Sequence, residues 1–492
     1  MQFPSSLRGW PEGLWVAAFA FLVRAVVLLL VPNALQADPD GYRTVGENLL
    51  QHRVLGHGNQ PTAVRPPLYP LILAFCGVFG PAARGVLALG HLAMGVATVW
   101  LAWDLTHKCR LHRLQRWLVA ALVACDPLLL RASTLVMTET LATLLATAAL
   151  HQWACYLRQP TPWKAGLLGA LMGLGVLCRP GWLVWLLASA AILLICPKHK
   201  SRSNSSDAHI LGHSLWQADG GEGSPMVCAS LALYTVGATL VLVPWVIRNA
   251  VQFGWPILTT THGGYTMLLA NNSWLYEHLS QGGSLSDWNP QPFHQAWHQQ
   301  IEERFLLHKP LLRNMAPQPS DIFSEQPSTK GLFPDPCRWM IDEFGADRWA
   351  YQQAMRTIWE NPSIFAWAVL LRWGRLWQLA PSRVGDNLFD QVVYYACVGW
   401  YGGEFILAIW GIWGIYTKSN QNSILRNTLL LGLVWAVLLT GLHTFYWTEM
   451  RMRSPLTTVL ALAAAFSLSF NRLSSTFAIF ASCRKGENAK PL

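Results

Sequence analysis

Residues 14–42 read LWVAAFAFLVRAVVLLLVPNALQADPDGY, and the change of chemistry at Pro32 decides the fold. Leu14 to Pro32 is an apolar run of roughly the 20 residues that a helix needs to cross about 30 Å of hydrocarbon. The run gives way to Asp38-Pro39-Asp40-Gly41-Tyr42, and Arg65-Pro66-Pro67-Leu68-Tyr69-Pro70 follows before the chain turns apolar again. Two carboxylates and an arginine on Pro-rich loop segments exceed what anchoring requires. They predict a reaction site at a membrane surface.

Working outward, the same kind of block recurs, as in Gly85 to Leu105, and 52% of the 492 residues are apolar against 13% charged. This is an all-α polytopic membrane protein. Its formal net charge of +10 is accounted for by cytoplasmic loops and anionic lipid, and no nucleic-acid partner is expected. The ten cysteines lie mostly in apolar segments without a C-x-x-C pair, and only Cys337 sits in a large polar region, so no disulfide framework is expected. The first segment, with Arg24 in its middle, reads as a retained anchor.

Charge bias sets the topology. Lys108, Arg110, Arg113 and Arg116 crowd one loop, Arg158 and Lys164 another, Lys198, Lys200 and Arg202 a third, and Lys418 with Arg426 a fourth. Placing all of these in the cytoplasm yields about ten crossings, near 14–34, 83–105, 117–133, 136–157, 165–178, 181–197, 227–247, 396–416, 425–446 and 455–471. Pro67 to Phe79 is too short to cross and becomes an interfacial helix, as does 362–380, which carries Arg372, Arg375 and several tryptophans. Residues 1–247 then form an N-terminal transmembrane module with a first outward loop at 36–82 and a disordered cytoplasmic linker at 198–226. A small extracytoplasmic cap occupies 248–395, C-terminal helices occupy 396–471, and a cytoplasmic tail 472–492. Both termini are inside.

With this topology Asp38, Asp40, Arg65, Arg131, Glu139, Arg179, Arg248, Arg451 and Arg453 all fall outside. The guanidinium fork matches phosphate oxygens, so repeated Arg at helix mouths predicts an anionic ligand at the outer leaflet. Each Arg taken alone could equally cap a helix or meet a headgroup. Asp40 could be an ordinary helix cap and Glu139 a favourable acid in a first turn. As chemistry, a fixed carboxylate near an acceptor hydroxyl is a general base. Arg24 and Glu404 sit inside apolar segments and are expected to face the bundle interior. His294 and His298 share the spacing of a metal pair without an accompanying glutamate motif, which leaves a surface helix.

The ordered set of the Asp-x-Asp-x-Tyr loop, Arg65-Pro-Pro-Leu-Tyr-Pro70, Thr138-Glu139, Cys178-Arg179-Pro180, Pro244-Trp-Val-Ile-Arg248-Asn249 with Gly263-Gly264, and Arg451-Met-Arg453-Ser-Pro455 resembles the GT-C glycosyltransferases. The group in question is that of the protein O-mannosyltransferases and the lipid A aminoarabinose transferase. The resemblance implies a GT-C-type bundle in the cell (inner) membrane with an extracytoplasmic active site. A polyprenyl-phosphate sugar, of hexose or pentose type, would be the donor, and a lipid, glycan or protein the acceptor. It puts the catalytic base at Asp38, with Asp40 sharing or replacing it and Glu139 shaping the site. Arg65, Arg179, Arg248, Arg451 and Arg453 would bind donor phosphate, and Tyr42 and Tyr69 would line the substrate. The chemistry expected is inverting, with or without a divalent metal ion. A lipid-linked oligosaccharide ligase-like enzyme and a transporter or flippase are the alternatives.

Overall fold

The computed structural model describes residues 10–195, 225–301, 343–381, 388–417 and 422–468. The described chain is helical apart from a two-stranded hairpin, Gly56–His57 with Gln60–Pro61. Each of the ten expected crossings contains a helix. They are α1 (Trp10–Leu30), α4 (Ala83–Lys108), the pair α5 (Arg113–Ala124) and α6 (Pro127–Ala132), α7 (Glu139–Arg158), α8 (Pro162–Cys178), α9 (Trp182–Ile195), α10 (Pro225–Phe253), α16 (Leu388–Thr417), α17 (Ser423–Leu442) and α18 (Thr457–Phe466). Five of them, α1, α4, α10, α16 and α17, contain stretches long and apolar enough to cross a membrane by length and composition. The expected crossing at 117–133 is broken because Pro127 has no N–H to continue a helix, and Asp126 restarts it by accepting from the Leu129 amide at 2.9 Å.

Between the bundle helices lie α2 (Tyr42–His52) and α3 (Leu68–Gly77). At 1.5 Å per residue α3 is about 15 Å long, half the hydrocarbon thickness. Of the linker expected over 198–226, residues 198–224 lie outside the described residues and 225–226 begin α10. The tail 472–492, Cys337 and the end of the last crossing also lie outside them.

Small residues pack at the centre of the bundle beside its larger aromatic and aliphatic side chains. Ala142, Ala146 and Ala149 on α7 are fully buried, as are Val99 and Ala102 on α4. The α8–α10 contact is closer still: a Cβ on Gly169 would run into the carbonyl oxygen of Tyr234, and one on Gly237 into that of Gly166. Without water to drive association, such backbone approach supplies the dispersion contacts that hold membrane helices together.

The cap has its own core. The helices α11 (Gly263–Ala270) and α12 (Ser273–Ser280), a helical stretch α13 over 291–301, α14 (Glu343–Glu360) and α15 (Pro362–Leu376) bury Leu275, Tyr276, Ala350, Ala354 and Ala368 together. The amphipathic stretch expected from about Asp347 is α14. His294 lies on α13, where its ring nitrogen pairs with the Tyr265 hydroxyl.

Gly169→Ala and Gly237→Ala should each lower the thermal unfolding midpoint of the purified protein, at a cost of roughly 1–3 kcal/mol for overpacking. Gly90 on α4 has open space around its missing Cβ, so Gly90→Ala should be neutral or slightly stabilising.

Candidate active site

The first loop is folded by its own sequence. Asp38-Pro39-Asp40-Gly41 is a turn in which the Gly41 amide donates to the Asp38 carbonyl at 3.3 Å, with Asp and Pro at the positions a turn favours. Gly41 takes φ +69°, a left-handed conformation that glycine adopts without penalty. Beyond the turn, the Asp38 carboxylate accepts from the amides of Tyr42 at 3.0 Å and Arg43 at 2.8 Å. It is therefore Asp38, not Asp40, that satisfies the free donors at the start of α2. Asp40 is left at the tip of the turn.

There Asp40 meets Arg451. The guanidinium grips it with both terminal nitrogens, at 3.0 and 3.3 Å, in a fork-on-carboxylate pairing. The same Arg451 reaches Glu139 at 3.3 Å and Glu449 at 2.6 Å. Burial opposes its charge, but Glu139, Asp40 and Glu449 together hold its pKa above the ordinary value. Glu139 is only 2% exposed. Its Oε1 also pairs with Arg179 at 2.7 Å, and Arg179 donates from Nε to Thr138 Oγ1 at 3.0 Å. The start of α7, the end of α8, the 450–456 turn and the first loop thus close on one buried carboxylate.

Beside this cluster stand the aromatic residues of the first loop. Tyr42 and Tyr69 meet edge to face at 5.5 Å, and the Arg65 guanidinium lies over the Tyr42 ring at 5.4 Å. Burial pushes the Tyr42 phenol up to about 12 although Arg65 pulls the other way. Tyr69 is fully buried and bonds His91 at 2.9 Å. Arg65 makes no hydrogen bond or ion pair among the described residues.

Two of the expected phosphate ligands are used elsewhere. Arg248 donates to the carbonyls of Thr62 at 2.9 Å and Leu55 at 2.8 Å, fastening the hairpin that precedes Arg65. Arg453 is 1% exposed and donates to the carbonyls of Leu376 at 2.8 Å and Gln378 at 2.6 Å. Arg451 and Arg453 part company because residues 450–456 form a 3₁₀ turn. At three residues per turn, side chains two apart point to different sides.

Sequence reading did not single out three participants. Glu343 accepts from the Ala63 amide at 2.9 Å and the Thr261 hydroxyl at 3.0 Å, pinning the cap to the Arg65 segment. Glu449 braces Arg451, and its only signal was a charge two residues before an arginine at a helix mouth. His262 lies close enough to Arg65 and Asp40 to feel both, and burial first, then Arg65, push its pKa down to about 3. It is a neutral imidazole at physiological pH.

Residues 64–215 match the sequence model of a family described as dolichyl-phosphate-mannose-protein mannosyltransferase. That stretch contains Arg65, Tyr69, Glu139 and Arg179 of the cluster. The fold is similar, at 14% identity and a TM-score of 0.46, to a crystal structure of the Archaeoglobus fulgidus oligosaccharyltransferase in complex with Zn and sulfate, over 95% of this chain and 51% of that one. The chain thus spans about half the length of that protein. No curated protein matches the sequence.

Glu139→Ala leaves Arg179 and Arg451 facing each other without their shared carboxylate. Thermal unfolding should show a loss of roughly 3–5 kcal/mol, as for other broken buried pairs. Glu449, whose side chain is 37% exposed, should cost at most about 1 kcal/mol when changed to Ala.

Proposed function

We propose that this protein is an inverting glycosyltransferase that moves a sugar from a polyprenyl-phosphate donor to an acceptor at the extracytoplasmic face of the cell membrane, with both termini in the cytoplasm. The observation that carries this reading is the pairing of one uncommitted guanidinium, Arg65, with carboxylates held at fixed positions beside it. A phosphate needs a cation whose donors are not already spent, and among the described residues Arg65 is the only one of the five arginines expected to bind donor that makes no hydrogen bond or ion pair. The family description of residues 64–215, which names a dolichyl-phosphate sugar donor, fits the same chemistry.

In the proposed reaction Asp40 takes the proton of the acceptor hydroxyl or amine as that atom attacks the anomeric carbon. The bond from that carbon to the phosphate oxygen breaks on the opposite face, and its electron pair leaves with the lipid phosphate. Arg65 donates to the departing phosphate, so no strong acid is needed. Glu139, held by Arg179, keeps Arg451 and through it Asp40 in place. Asp40 is preferred to Asp38 as the base because it stands at the tip of the turn within the Arg451–Glu139 cluster, whereas the Asp38 carboxylate is folded back onto the amides of α2. Asp38 is then a positioning residue. Tyr42 and Tyr69 form the aromatic wall under Arg65.

Arg248 and Arg453 serve the scaffold. Among the described residues no three His, Cys, Asp or Glu side chains meet in a way that could hold a metal, and Asp40 and Glu139 already share Arg451. The donor set does not fit a divalent ion, and no step is assigned to one.

Turnover of a polyprenyl-phosphate sugar by purified protein tests this. Asp40→Asn should lower kcat by the roughly 10² to 10⁴ typical of a lost general base and leave donor binding nearly unchanged. Arg65→Ala should weaken donor binding as well as rate. Asp38→Ala should cost about 1 kcal/mol of stability, as a lost cap, while the protein that remains folded keeps most of its turnover. Wild-type turnover in Asp40→Asn overturns the assignment of the base, and unchanged donor binding in Arg65→Ala overturns the phosphate contact.

A further inference from the structure

At the other end of α7, sixteen residues and about 24 Å from Glu139, three side chains line up that the reaction above does not use. His151 Nε2 lies 2.7 Å from Asp104 Oδ2, and the Cys155 sulfur lies 3.8 Å from His151 Nδ1. Asp104 is on the last turns of α4, where Lys108 also pairs with it at 3.1 Å. With the Nε2–H donating to the carboxylate, Nδ1 faces the thiol and can hold its proton. This is the order of nucleophile, base and orienting acid that activates a sulfur. His151 and Asp104 keep about a fifth of their side-chain surface exposed, and Cys155 is half-buried, so the group is not sealed in the core. Cys76, Cys109, Cys178 and Cys397 are buried.

The depth of the group points to its partner. Lys164 at the start of α8 reaches the Cys155 carbonyl with its ammonium at 3.3 Å and lies 5.9 Å over the ring of Trp163, which is 60% exposed. An exposed tryptophan beside a lysine at a helix end marks the headgroup level of a bilayer. Leu167, on the same helix one turn deeper, is also exposed and faces the region where acyl chains lie. A thiol at this level meets activated carbonyls whose chains are already in the membrane.

We propose that Asp104, His151 and Cys155 form a thiol site that accepts an acyl group from a fatty acyl thioester, giving an S-acylated Cys155. The Cys155 sulfur attacks the thioester carbonyl and its proton passes to His151 Nδ1. The new carbon–sulfur bond forms as the donor's carbon–sulfur bond breaks, and the leaving thiolate takes the proton back from His151. Asp104 holds the imidazole in the tautomer this requires and stabilises the imidazolium formed on the way. The proposal does not depend on the glycosyltransferase reading.

The full-length protein in detergent, mixed at neutral pH with palmitoyl-CoA and no other enzyme, tests it by mass spectrometry of the Cys155 peptide. A hydroxylamine-labile palmitoyl increment is expected on Cys155 and absent in Cys155→Ser. Asp104→Asn and His151→Ala should slow it by roughly 10²-fold, the scale of general-base removal, while circular dichroism confirms that each is folded. Should those variants not fold, the wild-type rate with iodoacetamide replaces them: Cys155 should react faster than glutathione at pH 7. A Cys155 no faster than glutathione overturns the activated thiol. Rapid alkylation without palmitoyl incorporation overturns the acyl donor, and equal acylation in wild type and folded Asp104→Asn overturns the triad.

Discussion

A carboxylate that is 2% exposed at the end of a membrane bundle cannot stand alone, because an unpaired buried charge costs several kcal/mol. Glu139 is that carboxylate, and its need for cations organises the site. Arg179 comes from the end of α8 and Arg451 from a segment 312 residues beyond Glu139. Each arrives with its own second partner, Thr138 for Arg179 and Asp40 for Arg451. One burial event therefore fixes the distances among three loops that share no secondary structure.

The remaining arginines divide by what they find at their ends. Arg248 and Arg453 also lie over aromatic rings, but both donate to backbone carbonyls as well and so tie segments of the fold together. Arg65 ends over an aromatic face alone, with no hydrogen bond or ion pair among the described residues. A ring attracts the cation without consuming its donor hydrogens, and the guanidinium is both oriented and free. The hairpin behind it is fastened on two sides, by Arg248 and by Glu343, so its orientation is inherited from α10 and from the cap.

Much of this was legible in the sequence, for definite reasons. Apolar block length and the clustering of Lys and Arg placed a helix in every expected crossing, since both follow from the thickness and charge of the bilayer and not from contacts. The same reasoning gathered Asp40, Arg65, Glu139, Arg179 and Arg451 at one end. What it could not assign was which group each charge would meet. Asp38 and Asp40 are separated by one residue, and only the turn geometry gives the first to the helix and the second to Arg451. Arg451 and Arg453 look alike in sequence, and only the 3₁₀ winding sends them apart. Glu343 and Glu449 went unnoticed because their role depends on segments brought close by folding. The apolar run expected to cross at 117–133 holds a cap and a helix start at Asp126-Pro127, and hydropathy alone does not separate the two helices it forms.

The tight seam between α8 and α10 sets a timetable for making the protein. Gly169 can find Tyr234, and Gly237 can find Gly166, only after α9 and the whole of α10 have been synthesised, 75 residues beyond the end of α8 (253 − 178). At about 5–20 residues per second α8 waits roughly 4 to 15 s in the lipid with its glycine face bare. During that interval the growing chain holds a membrane helix whose best partner does not yet exist, and anything in the insertion machinery that shields small-residue faces has its moment there.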